Sequence, residues 1–476
     1  VRRSKLFWVA ALYFAEGFPF GVFNDVLPVY FRQQGVDLRA IGTLSLLGLA
    51  WTLKFLWAPA VDYFRHHRLW MATVDVGMGA VMLSFALQAG LGPWVWTAIA
   101  LFTILAATND IAIDGYTIEL LDQQEMGLAN GVRNGMYRVG IIGAGFALSA
   151  SSWIGWRGAF LCAACALALI AATMLLAPRE RLAPARSGQG FAVEVTRLVR
   201  SPRAVAGLLA VALGAMWLTN TNLHWAPAAF WPGALIVAAL LWLASFAARR
   251  RTPEPAAEAL GDGPVFGALF DLATRPNIVS VLIFILLFKL GDASIGFMIK
   301  PFWVDRGFSG AEIGLVSVNL GLALTIAGGL VGGWYTDRAG IFKALWVLGL
   351  FQGFANLGYT LAAYAIPPGT PLGLPQRAAI YGASAIESFT GGLGSAAFLS
   401  FLMAIVDKRR SAAEYALLSS VFALSRSVAG WAGGFGAQQW GYAPYFLLTF
   451  FLSFPAYCFL PGVRKMLTRV AAARTA

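Results

Sequence analysis

The sequence predicts an all-α polytopic membrane protein: two six-helix bundles plus two extra helices between them, about fourteen spans in all. Three observations predict it. Apolar runs of bilayer length recur along the whole chain. Positive charge gathers in alternate loops. One loop octet appears twice, once in each half.

The apolar runs fall near 7–30, 41–60, 70–91, 94–120, 132–152 and 157–177, then near 204–222 and 226–248. Six more follow near 278–301, 311–335, 343–365, 377–405, 413–437 and 441–461. A helix of roughly 20 apolar residues crosses the hydrocarbon of a bilayer. Of the 476 residues, 59% are hydrophobic and 12% charged, and the mean hydropathy is +0.69. Too little polar sequence remains to clothe a soluble multidomain core. The expected organisation is a bundle over 1–178, two basic linkers flanking the extra pair over 179–276, a second bundle over 277–466 and a tail over 467–476.

The net charge of +12 is not a nucleic-acid signal. Arg65/Arg68, Arg179/Arg181, Arg249 to Arg251, Arg338/Lys343, Lys408 to Arg410 and Arg464/Lys465 all fall on one side of the bilayer. The turns at Gly92-Pro93 and Gly441-Tyr442-Ala443 carry no positive charge. Lys and Arg mark cytoplasmic loops, so both ends are expected in the cytoplasm. Arg2-Arg3-Ser4-Lys5 imitates a signal peptide, but the apolar run continues to Tyr30 and reads as a retained first span. Three cysteines make no disulfide framework. Cys162 and Cys165 are expected in small-residue helix packing rather than redox or metal chemistry. With three histidines (His66, His67 and His224), no H-E-x-x-H and no Ser–His arrangement, a membrane enzyme is disfavoured. No metal, cofactor or catalytic residue is expected.

The octet Gly35-Val36-Asp37-Leu38-Arg39-Ala40-Ile41-Gly42 matches Gly307-Phe308-Ser309-Gly310-Ala311-Glu312-Ile313-Gly314 at an offset of 272. Each lies between the first and second spans of its half. Two six-span halves in one orientation are the parallel-repeat plan of major facilitator transporters. The glycine runs Gly140 to Gly145 and Gly430 to Gly436 lie inside lipid-length helices, which suits close helix contact and not a phosphate loop. Tryptophans such as Trp51, Trp57, Trp94, Trp96, Trp153 and Trp156 fall near span ends and read mostly as interfacial anchors.

Ionisable groups inside the spans are costly and face a bundle interior or a watery cavity. Asp110 and Asp114 are four residues apart, so one helix face carries both carboxylates. Arg138, one span on, is expected to hold one of them. Lys289, Asp292, Gly296 and Lys300 share one arc of the seventh span, expected to line the second half's wall, with a structural Lys289–Asp292 pair as the alternative. Proton coupling needs a buried carboxylate whose charge a partner or substrate senses. The candidates are Asp110, Asp114, Asp292 and Glu387, with Glu16 beside them. Substrate contacts are expected from Lys54, Asn109, Arg138, Lys289, Asn319 and Arg426, since cations and amide donors suit a ligand carrying carboxylates, hydroxyls and amides.

Gly332-Gly333-Trp334-Tyr335-Thr336-Asp337-Arg338-Ala339-Gly340 resembles the G-x-x-x-D-R-x-G loop of the major facilitator superfamily, with a degenerate copy ending at Asp62. There Asp62, Asp337 and Arg338 would act as a conformational latch. Lys54-Phe55-Leu56-Trp57-Ala58-Pro59, Asn109 to Asp114, Tyr137 to Gly140, Lys289 to Ala293, Glu387 with Gly391 to Gly394, and Ala413 to Ser419 resemble the AmpG-type muropeptide permease family. The extra central pair is similar too. The chain departs from the pattern at Asn109, where that family commonly has Gln. The resemblance implies a proton-coupled symporter, a monomer, importing anhydromuropeptides (GlcNAc-anhydroMurNAc-peptides) across the bacterial inner membrane for cell-wall recycling. Related branches that import acetyl-CoA or a siderophore are the alternative.

Overall fold

The computed structural model describes residues 2–54, 57, 61, 66–88, 90–92, 94–120, 126–178, 277–405 and 411–475, and every regular element among them is helical. The first half holds α1 (Lys5–Gln33), α2 (Leu38–Leu53), α3 (His67–Leu87) and α4 (Trp94–Leu120). The run Met126–Leu176 follows, split at Gly155 (φ 70°, ψ 172°) into α5 before it and α6 after it. The second half holds α7 (Ile278–Asp305), α8 (Gly310–Ala339), α9 (Ile341–Ala365), α10 (Leu374–Ile405), α11 (Ser411–Trp440) and α12 (Tyr442–Arg469). Nine segments of the described residues are long and apolar enough to cross a membrane, with Leu38–Leu53 a shorter apolar helix. The expectation of about fourteen spans is not confirmed by this count, which covers the described residues alone. The extra pair near 204–222 and 226–248 lies outside the described residues.

The repeated octet folds the same way twice. Gly35 (φ 80°) and Gly307 (φ 83°) each end a helix in the left-handed region that glycine tolerates best. Val36 N–H donates to Phe31 O (3.0 Å) and Phe308 N–H to Trp303 O (3.1 Å), the six-to-one bond of a Schellman turn. Two residues on, a short polar side chain starts the next helix. Asp37 accepts from the Ala40 amide, and Ser309 makes a reciprocal capping box with Glu312. We call this end of the molecule the octet end.

The halves meet along two seams, α2 against α11 and α5 against α8. Close approach makes the first one: a Cβ on Gly42 would lie 2.6 Å from the Gly434 Cα, so no side chain fits there. The second brings Gly314 against Ser149 and Gly145 against Asn319. Outward faces are apolar and exposed, as at Leu83, Leu101, Leu169, Leu330, Phe351 and Phe451, which suits contact with lipid tails.

Several local expectations are corrected. Cys162 and Cys165 are exposed on the outer wall, while Ala163 and Ala164 between them are the buried residues. Trp51 and Trp57 turn inward: Trp51 packs on Phe20 and Phe23, and the Trp57 indole donates to the Thr108 hydroxyl at 3.1 Å. The continuous arc expected for Lys289 to Lys300 is broken. Lys289 itself (φ −102°, ψ 9°) separates two helical pieces of α7.

Candidate functional site

The spans carry two polar clusters, one per half. In the first, Lys54 at the end of α2 pairs with Asp110 of α4, Nζ to Oδ2 3.4 Å. The Trp51 indole also reaches the Asp110 carboxylate. One turn on, Asp114 takes Arg133 of α5 at 2.9 Å and the Tyr13 hydroxyl of α1 at 2.8 Å. Arg133 stacks over the Tyr13 ring, 4.6 Å from its centroid. Glu16 of α1 lies within electrostatic reach of both aspartates and both bases. Its Oε2 is sealed from solvent with no hydrogen-bond partner, and it forms no ion pair among the described residues.

In the second half, Lys289 is buried at the break in α7 and reaches Asp292 and the Gly391 carbonyl of α10, each at 3.3 Å. Glu387 of α10 accepts from the Ser388 hydroxyl at 3.3 Å. Lys289, Lys300 and Asp292 all act on it electrostatically.

Among the described residues, three links between the halves use charged side chains. The first two start from a π-helical turn, Val22–Val26, inside α1. Such one-turn distortions re-aim side chains and recur at functional sites. Asp25 pairs with Lys300 at 3.4 Å. Asn24 Oδ1 accepts from Arg426 Nη2 at 2.9 Å, and Arg426 also lies over the Phe20 ring, 5.1 Å from its centroid. At the octet end Arg32 grips Asp305 with two bonds, of 2.5 and 2.6 Å, and the Tyr442 hydroxyl adds a third to the same carboxylate at 2.7 Å. Seams and ion pair together close the octet end.

A Major Facilitator Superfamily profile matches residues 9–228. The anhydromuropeptide permease of Escherichia coli (strain K12) is 27% identical, over 96% of this chain and 79% of its own. The chain resembles the major facilitator superfamily in sequence over residues 9–228 and in fold over nearly its whole length. A putative transporter AmpG 4 of Rickettsia conorii is 24% identical over 95% of this chain and 94% of its own. Among solved structures, an auto-inhibited peptide transporter of the POT family shares the fold at a TM-score of 0.64 and 17% identity, covering 98% of this chain and 97% of its own. The xylose transporter XylE from E. coli in its inward-open conformation does so at 0.59 and 10%, covering 98% and 100%. With these relatives the chain is a membrane transporter of a small molecule and not an enzyme.

In transporters of this two-bundle fold the solute passes between the two halves. The expected residues divide accordingly. Lys54, Asp110, Asp114, Lys289, Asp292, Glu387 and Arg426 all belong to the clusters and links above. Asn109 does not: fully buried, it turns to α3 and donates to Asp75 at 2.8 Å. Arg138 does not hold Asp114. Arg133 does, and Arg138 makes no ion pair among the described residues. Arg138 shares the face of α5 that carries Gly145 on the α5–α8 seam, since a spacing of seven is about two turns. Asn319 lies on that seam, in a π-helical turn of α8, with its amide atoms buried and unbonded. Asp337 and Arg338 are exposed at the opposite end, without an ion pair among the described residues, and Arg338 stacks on Trp334. Asp62 lies outside the described residues.

Sequence reasoning missed Asn24, Asp25, Asp75, the pairing of Arg133 with Asp114 and the Arg32–Asp305 pair. The signal for the first three was present: a polar residue inside an apolar run, as in Phe23-Asn24-Asp25-Val26 and Val74-Asp75-Val76.

Proposed function

We propose that this protein is a proton-coupled symporter that imports anhydromuropeptides across the bacterial inner membrane, working as a monomer with both ends in the cytoplasm. In this reading the octet end faces the periplasm and the closed seam is the shut outer gate. Relatives that are, or are named for, anhydromuropeptide permeases support the substrate class.

One observation carries the reading. Arg138 and Arg426 have no carboxylate partner among the described residues, and both lie within electrostatic reach of the Tyr137 hydroxyl. Each is half-buried. Each lies on a seam-facing surface, on the side of the contact glycines Gly145 and Gly430 away from the octet end. Two guanidinium groups beneath a closed gate form a floor that awaits an anion. The peptide carboxylates of a muropeptide would supply it, by the charge-assisted bonds that Arg makes best. The cations of the two clusters and of the Asp25 link are already matched: Lys54 to Asp110, Arg133 to Asp114, Lys289 to Asp292 and Lys300 to Asp25.

Uptake of labelled anhydromuropeptide into proteoliposomes under an imposed pH gradient tests the proposal, with acetyl-CoA as competitor. Accumulation that needs the gradient and resists acetyl-CoA is expected. Gradient-independent uptake, or displacement by acetyl-CoA, overturns it.

A further inference from the structure

On the outer wall of the second half, a cleft of about 630 Å³ opens between the start of α9 and the end of α12. It lies at the end of the molecule opposite the octets. We propose that this cleft binds one anionic phospholipid, with its phosphate among Lys343, Arg464 and Lys465 and its acyl chains along the apolar wall.

The charge is one-sided. Three of the lining side chains are cations and none is acidic. No ion pair to Lys343, Arg464 or Lys465 occurs among the described residues, so no described carboxylate neutralises them. Helix α9 also starts here. Its preceding residue, Gly340, has no side chain to cap the first amides, and uncapped amides favour an anion.

The apolar part fixes the kind of anion. Phe342, Trp346 and Tyr457 complete the lining with Leu460 and Pro461. Trp346 is 50% exposed, and the Tyr457 hydroxyl donates to its carbonyl at 3.1 Å, which fixes the wall. Lys343 lies in the first turn of α9 and Trp346 about one turn further in. That order, cations at the helix end and rings deeper, matches a lipid read from phosphate to acyl chain. A soluble phosphate would satisfy the cations and leave the rings wet. Basic pockets between membrane helices are known to take anionic headgroups.

Native mass spectrometry of the whole purified protein tests this, with phosphatidylglycerol titrated against phosphatidylcholine. The wild-type protein should retain one phosphatidylglycerol in preference to phosphatidylcholine. Each cation removed should weaken retention about fivefold, so Lys343→Gln/Arg464→Gln/Lys465→Gln should weaken it about a hundredfold. Retention of phosphatidylcholine should not change. If the triple variant folds poorly, Lys465→Glu alone should still show a loss of at least about fivefold. Arg157→Gln, which removes an exposed arginine near the octet end, should change nothing. Equal retention by the cleft variants, an equal loss in Arg157→Gln, or displacement of the lipid by inorganic phosphate as readily as by short-chain phosphatidylglycerol would each overturn the proposal.

Discussion

Arg32 and Asp305 meet fork to fork across the two halves, at 2.5 and 2.6 Å. They end equivalent helices, just before the two repeated octets. Both side chains are about one-fifth exposed, 22% and 20%, so water screens the pair only partly. Hydrogen bonds to charged groups contribute about 1.5–3 kcal/mol, which biases a two-state gate by roughly tenfold or more. Asp305→Asn should therefore raise the open population of the octet end. A cysteine placed at Ser149, buried within the α5–α8 seam, should react at least about fivefold faster with an impermeant maleimide in that background. The exchange Arg32→Asp/Asp305→Arg should return the rate toward wild type. An unchanged rate in Asp305→Asn would show that the glycine seams hold the gate alone.

Arg426 bonds Asn24 and covers Phe20, yet no carboxylate neutralises it among the described residues. If it meets the substrate's anion, Arg426→Gln should raise KM for uptake by about tenfold or more, from the loss of a charge-assisted bond. Arg426→Lys should recover part of that, since it keeps the charge and loses the planar fork. Arg138→Gln should act in the same direction. A KM unchanged in both Gln variants, at normal expression, would remove the arginine floor from the mechanism.

Asn109 and Asp75 predict the opposite pattern. The pair is buried between α3 and α4, away from the other clusters. Asn109→Ala leaves Asp75 without its donor, at a cost of about 1–3 kcal/mol. The melting temperature in detergent should fall, while KM for uptake stays within about twofold. A large KM effect without loss of stability would return Asn109 to the substrate path.

These cases show what could be read in advance. The octet repeat was legible because it is a local device: a left-handed glycine and a cap two residues later need no tertiary context. The ionisable character of α4 and α7 was legible for the same reason, since a charge in an apolar run is visible anywhere. The partners were not. Asn109 and Asp110 are adjacent, yet about 100° apart around the helix, so one meets α3 and the other α2. Arg133 and Arg138 differ by about 140° of phase, and only the rotation of α5 against α1 decides which one meets Asp114. The break at Lys289 was equally hidden, because nothing in Phe288-Lys289-Leu290 forbids a helix.

Each polar cluster leaves one acid without an ion pair among the described residues. In the first cluster three carboxyls face two bases, and the bases take Asp110 and Asp114, which leaves Glu16. In the second, Lys289 takes Asp292 and Lys300 takes Asp25, which leaves Glu387 with a serine. A buried carboxyl without a cation is stable chiefly in its neutral form, so these two side chains suit a travelling proton better than the paired aspartates do. Glu16→Gln mimics the neutral form permanently. It should keep substrate exchange across the membrane, which needs no net proton movement, and lose accumulation driven by a pH gradient. Glu387→Gln should do the same if the second half carries the proton. The measurement is counterflow beside gradient-driven uptake in the same proteoliposomes. Gradient-driven accumulation that survives in both Gln variants, and fails in Asp110→Asn or Asp114→Asn, would move the coupling proton to the paired aspartates.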